Sequence, residues 1–199
     1  YDNRVRYCEA AHVECRIFLL EKGSSREEAL KEKLAILEQT LSVDHGSNNK
    51  NVLLMDADVL IKNSEYRLFS EFSGELGLTK DMTASGDRYQ SGVIFARAVP
   101  LVAAFFKNVR EMNLPKARHG SDQRALNEAL LEETNKDVKV QVMDRKYNSF
   151  PAIKDTQWQL MHKPAGDEDM HDSKLVHFAG AFGAADVDGE SVEVDPVVM

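Results

Sequence analysis

Two aspartates separated by one residue, Asp56-Ala57-Asp58, follow directly on the apolar run Val52-Leu53-Leu54-Met55. The run is short and wholly apolar, which suits a strand buried on both faces. Carboxylates at the carboxyl end of such a strand stand where open α/β sheets bind ligands. If the chain turns there, both side chains aim at one point. Their repulsion would then raise one of the two pKa values unless a cation sits between them. Carboxylate oxygens suit Mg²⁺ or Mn²⁺, ions that usually keep other positions for phosphate oxygens and water. The pair reads as half of a metal–diphosphate site, against the plainer account of a solvated turn or a helix cap.

Such a pair works only if other elements hold it in place. Asn3 to His12 reads as a short helix and Arg16 to Leu20 as a strand. Ser24 and Ser25 each stand three residues before a glutamate, Glu27 and Glu28, the capping-box spacing. Leu30, Leu34, Leu37 and Leu41 follow as one apolar helical stripe, and residues 44–50 form a polar loop. Gly92 to Ala96 predicts a second strand. Pro100 opens the next helix, with Val102, Phe105, Phe106 and Val109 inward. Ser121 caps a further helix whose Ala125, Leu126, Ala129 and Leu130 face the core. Val138, Val140 and Val142 alternate as in a half-buried strand, and Leu175 to Phe178 is a last short strand before the glycine-rich residues 180–183. Helices alternating with short apolar strands predict an α/β layered fold.

The 199 residues predict one domain with a sizeable core of its own. The net charge of -8 argues against a non-specific nucleic-acid binder. Most of that charge lies at the end of the chain: Asp186, Asp188, Glu190, Glu193 and Asp195 occur in residues 184–199 with no Lys or Arg. That segment reads as an acidic flexible tail. Cys8 and Cys15 read as free thiols on separate elements. No apolar run approaches the roughly 20 residues of a membrane span, no targeting segment is visible, and no N-x-S/T sequon occurs.

Two enzyme classes use a D-x-D pair. In phosphotransferases of the haloacid-dehalogenase type the first Asp is the nucleophile and the second a general acid. Their signature wants Thr or Val where Leu60 stands, although Gly166-Asp167-Glu168-Asp169 imitates their acidic metal loop. In nucleotide-sugar glycosyltransferases the pair holds a metal on the donor diphosphate. Here the blocks RVRYCEAAH (4–12), VLLMDADVLIKN (52–63), QSGVIFAR (90–97), DQRAL (122–126), YNSFP (147–151) and VHFAG (176–180), with Lys33 on the long helix, occur in that order. Together they resemble the galactosyl-, xylosyl- and mannosyltransferase family of the secretory pathway.

The resemblance implies a GT-A (Rossmann-like) nucleotide-diphospho-sugar transferase fold, α/β with a mixed central sheet and flanking helices. It would fill residues 1–183 and would lack its first strand, which normally precedes the first helix. Asp56, Asp58 and His177 would ligate Mn²⁺ or Mg²⁺; His177 by itself reads as a core residue. Gln90, Ser91 and Gly92 would form a donor-sugar loop, usually with Asn at the first place. Lys33 would approach the donor phosphates, unless it is a helix-surface lysine. Gly180 would let backbone approach the diphosphate. Asp122 and Gln123 would lie beside the anomeric carbon, with a helix-dipole role as the plainer account of Asp122. Tyr147 and Asn148 would shape the acceptor side, and Trp158 would stack on an acceptor sugar or simply pack.

The activity implied is metal-dependent, retaining transfer of a hexose or pentose from a nucleotide-diphosphate sugar to a glycan or other hydroxyl acceptor. The alternatives are the phosphotransferase and a non-catalytic nucleotide-sugar-binding domain. The partners implied are donor and acceptor, with no nucleic acid. The compartment implied is the Golgi lumen, through a membrane anchor upstream of residue 1, or else the cytoplasm.

Overall fold

A computed structural model describes residues 2–19, 26–42, 50–63, 65–81, 88–112, 121–149, 172–177 and 197–198. The expected capping serines Ser24 and Ser25 lie outside these residues, as do Trp158, the acidic stretch 166–169, Gly180 and nearly all of the acidic tail.

The elements run α1 (Asp2–Ala11), β1 (Phe18–Leu19), α2 (Arg26–Ser42), β2 (Asn51–Met55), β3 (Val59–Ile61), β4 (Leu76–Lys80), β5 (Tyr89–Arg97), α3 (Pro100–Glu111), α4 (Ser121–Leu131), β6 (Val140–Met143), β7 (Leu175–His177) and β8 (Val197–Val198). Single turns of 3₁₀ helix cover Glu133–Asn135 and Arg145–Tyr147. The central sheet has the order β2-β5-β4-β6; β4 and β6 are parallel and the other pairs antiparallel. Two smaller antiparallel sheets join β3 to β7 and β1 to β8.

The apolar runs have no polar alternation because both faces of the central sheet are covered. Successive strand residues point to opposite faces. Along β5, Ile94 and Ala96 join Leu34, Leu37, Leu41, Val102, Phe106 and Leu126 beneath α2, α3 and α4. Val93 and Phe95 point the other way, into a core with Tyr7, Val59, Ile61, Leu68 and Leu175. Phe69, Phe72 and Tyr147 surround the Phe95 ring at centroid distances of 5.8, 5.6 and 5.3 Å. The predicted stripe of α3 is buried, with Pro100 in its first turn. Among the described residues no helix is long and apolar enough to cross a membrane.

Several expectations need correction. The second strand starts at Tyr89, three residues before Gly92, so Gln90-Ser91-Gly92 is interior strand and not loop. Val138 precedes β6, and Val142 is 51% exposed, so the valine alternation does not mark a buried face; Met143 supplies the buried contact. Cys8 and Cys15 are not free thiols. They form a disulfide with Cα atoms 6.0 Å apart, because the chain leaving α1 doubles back past the helix end. His12 makes that reversal with φ of 53°, in the left-handed region.

Closing a loop this short restrains the unfolded chain by roughly 2 kcal/mol. The double variant Cys8→Ser/Cys15→Ser should therefore lower the urea midpoint by an amount equivalent to about 2 kcal/mol. A midpoint equal to that of the oxidised wild type would show that the bond contributes nothing to stability.

Candidate metal and donor site

The D-x-D pair lies where β2 leaves the central sheet. The Asp56 N–H still donates to the Gly92 carbonyl at 2.9 Å, and the Val59 N–H then donates to the Asp56 carbonyl at 3.1 Å, closing a turn into β3. Helix α1 holds this turn from outside the sheet. The buried Arg4 guanidinium donates to the carbonyls of Asp56 and Val59, each at 2.8 Å, and to that of Ala57. Asn3 pairs with Ile61 in both directions, its Nδ2 donating to the carbonyl and its Oδ1 accepting from the N–H. Three carbonyls on one guanidinium leave the turn little freedom. Burial lowers the Arg4 pKa, with Asp58 and Asp56 opposing the shift.

Strand pairing brings in the third group. β7 lies antiparallel to β3 with His177 opposite Val59, one residue from Asp58. Ligand atoms of Asp56, Asp58 and His177 all lie within 4.8 Å of one another. His177 Nε2 is 3.2 Å from Asp58 Oδ1, and Nδ1 is 2.9 Å from Asn148 Oδ1. Burial pushes the Asp58 carboxyl up, but its contact with His177 outweighs burial and holds it below the usual range. Asp56 is held above that range by burial; Lys33 opposes the shift and Asp122 adds to it.

Two carboxylates and an imidazole, grouped this closely, form a donor set that fits a divalent cation such as Mn²⁺. Carboxylate oxygen facing ring nitrogen at 3.2 Å requires a proton or a cation between them.

Gly92 makes room for this arrangement. A Cβ built there would lie 2.1 Å from His177 Cε1 and 2.6 Å from Nδ1. The glycine is needed for space rather than for an unusual backbone angle.

Lys33 is 2% exposed, so the helix-surface account of it fails. Its ammonium reaches Asp56 Oδ1 at 2.6 Å, Asp122 Oδ2 at 2.7 Å and the Ser91 carbonyl at 3.0 Å. An ammonium has three N–H donors, and three acceptors surround it. Burial disfavours its charge, yet the two carboxylates outweigh burial and raise its pKa. Asp122 is likewise held below the usual carboxylate range: burial raises it, and Lys33 more than offsets that. Lys33 thus ties the D-x-D turn to the first turn of α4. Next to Asp122, Gln123 Nε2 donates to the buried Asp81 carboxylate at 2.7 Å. Gln90 and Ser91 are buried in β5 beside this group.

Tyr147 and Asn148 do not present an acceptor surface. Tyr147 is fully buried against Phe95, and Asn148 is 2% exposed behind His177. Asn3 and Thr79 carry supporting roles that no sequence pattern marked, and Arg4 carries one that its block RVRYCEAAH did not specify.

A mixed sheet flanked by helices, with a D-x-D turn, a histidine and a buried Lys–Asp pair at one end, defines a nucleotide-sugar transferase architecture. Residues 4–185 match the nucleotide-diphospho-sugar transferase family, and the chain belongs to that family. It is a glycosyltransferase. The fold is similar to that in the crystal structure of a glycosyltransferase involved in the glycosylation of the major capsid of PBCV-1, at 14% identity and a TM-score of 0.59, over 90% of this chain and 84% of that one. Comparison with curated proteins gives no significant match. Family membership favours neither the phosphotransferase nor the non-catalytic reading.

Proposed function

We propose that the chain transfers a hexose or pentose from a nucleotide-diphosphate sugar to a hydroxyl of a glycan or related acceptor, with retention at the anomeric carbon. The observation that carries this reading is the convergence of Asp56, Asp58 and His177 within 4.8 Å, joined through Lys33 to Asp122. Asp56, Asp58 and His177 would hold the divalent cation, Mn²⁺ or Mg²⁺. When bound it would supply Lewis-acid neutralisation of the leaving diphosphate.

The remaining work falls to the chain itself. Lys33 keeps Asp122 ionised, so a fixed negative charge faces the sugar as its anomeric centre becomes cationic. Gln123, oriented by Asp81, supplies an amide beside it. Lys33 acts on the donor through Asp56 and Asp122. Ser91 and Gly92 place β5 beneath the donor, and Gln90 sits at the entrance to this strand segment. The acceptor hydroxyl attacks from the face the diphosphate leaves, and the departing phosphate takes its proton. The Gly180 backbone contact with the diphosphate is carried over from the resemblance. A secretory-pathway setting agrees with the Cys8–Cys15 disulfide, since such bonds persist in oxidising compartments.

The test is a panel of UDP- and GDP-sugars incubated with the purified chain and Mn²⁺, Mg²⁺ or a chelator. Sugar release from one donor, lost on chelation, is the expected result. Release that survives chelation overturns the metal dependence. Absence of release and of binding with every donor overturns the reading.

A further inference from the structure

The hydrogen bonds behind His177 have a direction. Thr79 on β4 and Asn148, just after the second 3₁₀ turn, are both buried. Asn148 Nδ2 donates to Thr79 Oγ1 at 3.1 Å, so Oδ1 is the atom that meets His177 Nδ1 at 2.9 Å. An amide oxygen only accepts. A ring hydrogen therefore belongs on Nδ1, and Nε2 is the nitrogen left to face Asp58, with a cation, or a proton that the cation displaces, between them. We infer that Asn148, anchored by Thr79, is a positioning residue that fixes His177 as the Nδ1–H tautomer and so reserves Nε2 for the divalent cation. The ligand half of this inference rests on the metal site proposed above; the tautomer half does not.

The surroundings support a fixed ring. The His177 N–H donates to the Ser149 carbonyl at 2.7 Å, and the Asn148 N–H donates to the Arg145 carbonyl at 2.9 Å. Backbone on both sides of the contact is thereby held. Gly92 lies against the Cε1–Nδ1 edge of the ring and limits its rotation. Asn148 also joins two sheets: its amide bonds to β4 of the central sheet, and its oxygen meets β7 of the small one. The imidazole orientation is thus referred to the molecule's most buried strands. An outer partner that fixes a ligating histidine typically supports metal affinity by about 10–100-fold. The reverse amide orientation would put the hydrogen on Nε2, where it would bond Asp58 and oppose a cation.

The experiment uses the 199-residue chain, ¹⁵N-labelled at histidine, with the His177 signals assigned by comparison with His177→Gln. Imidazole NMR of the metal-free protein reads the tautomer, and Mn²⁺ titration followed by EPR reads affinity without donor or turnover. Wild type should show Nδ1–H. Asn148→Leu should lose that preference and weaken Mn²⁺ binding by about 10–100-fold. Asn148→Asp, which still accepts from Nδ1–H, should keep both. Thr79→Val leaves Asn148 in place without its anchor and should shift both readouts in the direction of Asn148→Leu; it carries the comparison if Asn148→Leu does not fold. A wild-type Nδ1 that carries no hydrogen, or Mn²⁺ affinity in Asn148→Leu within twofold of wild type, overturns the inference. Nδ1–H in a wild type that takes up no Mn²⁺ overturns the metal reading and the ligand half with it, while the tautomer assignment stands.

Discussion

Gly92→Ala should nearly abolish divalent-cation uptake and cut donor turnover by about 100-fold or more, while the chain stays folded. A Cβ at this position would lie 2.1 Å from His177 Cε1, 2.6 Å from Nδ1 and 3.0 Å from Nε2. Something must move. Gly92 is the less able to do so, because it lies inside β5 and its carbonyl accepts from Asp56 N–H. The ring has to swing instead, taking Nε2 away from Asp58 and Nδ1 away from Asn148. Overpacking one methyl group costs typically about 1–3 kcal/mol, less than the stability of an ordinary domain. Circular dichroism should therefore remain native while the Mn²⁺ signal of bound ion disappears. An alanine variant that binds Mn²⁺ within twofold of wild type would show that His177 is not a ligand in this position.

Lys33→Met should destabilise the fold by about 3–5 kcal/mol, the cost of removing one partner from a buried ion pair. Methionine fills much of the same volume, so the effect is chiefly electrostatic. Asp122 is 6% exposed and would lose the ammonium that meets its Oδ2 at 2.7 Å, and Asp56 would face Asp122 without Lys33 between them. Lys33→Arg should not restore the protein fully. A planar guanidinium cannot direct its donors to three acceptors arranged about a point as an ammonium does. Urea unfolding of the two variants beside wild type measures this. A loss below about 1 kcal/mol for Lys33→Met would place the group in effective contact with water, since exposed pairs contribute at that level.

The parts of the molecule with local signals were legible in the sequence. The stripe Leu30, Leu34, Leu37, Leu41 is helical in α2, and Val102, Phe105, Phe106 and Val109 are all buried on α3. Asp56 and Asp58 announce themselves by spacing next to an apolar run. What was not legible depends on residues far apart in the chain. Lys33 is 89 residues from Asp122, and its burial follows from α2 packing against α3 and α4, which its own neighbours in sequence do not disclose. β3 has three residues, and β4, Leu-Gly-Leu-Thr-Lys, carries too little apolar sequence to stand out, yet these two strands bring in His177 and Thr79. Asn148 read as an acceptor-side residue only through the resemblance of its block; the fold places it behind the histidine. The disulfide was missed because seven residues separate cysteines on different elements, and the reversal at His12 that joins them has no strong turn motif.

The pairing of β3 with β7 also sets a schedule. Val59 meets His177, Ile61 meets Leu175, and Arg4 grips carbonyls more than fifty residues further along. Contacts of such long sequence separation must overcome the entropy of closing large loops, and they form slowly relative to local helices. On a ribosome, residues 56–58 would emerge long before the strand that supplies the histidine. The aspartate turn therefore spends the early life of the chain as two carboxylates with no histidine partner. The Asp56–Asp58–His177 cluster is a late product of folding rather than its nucleus, and any fragment that stops short of residue 175 lacks the means to assemble it.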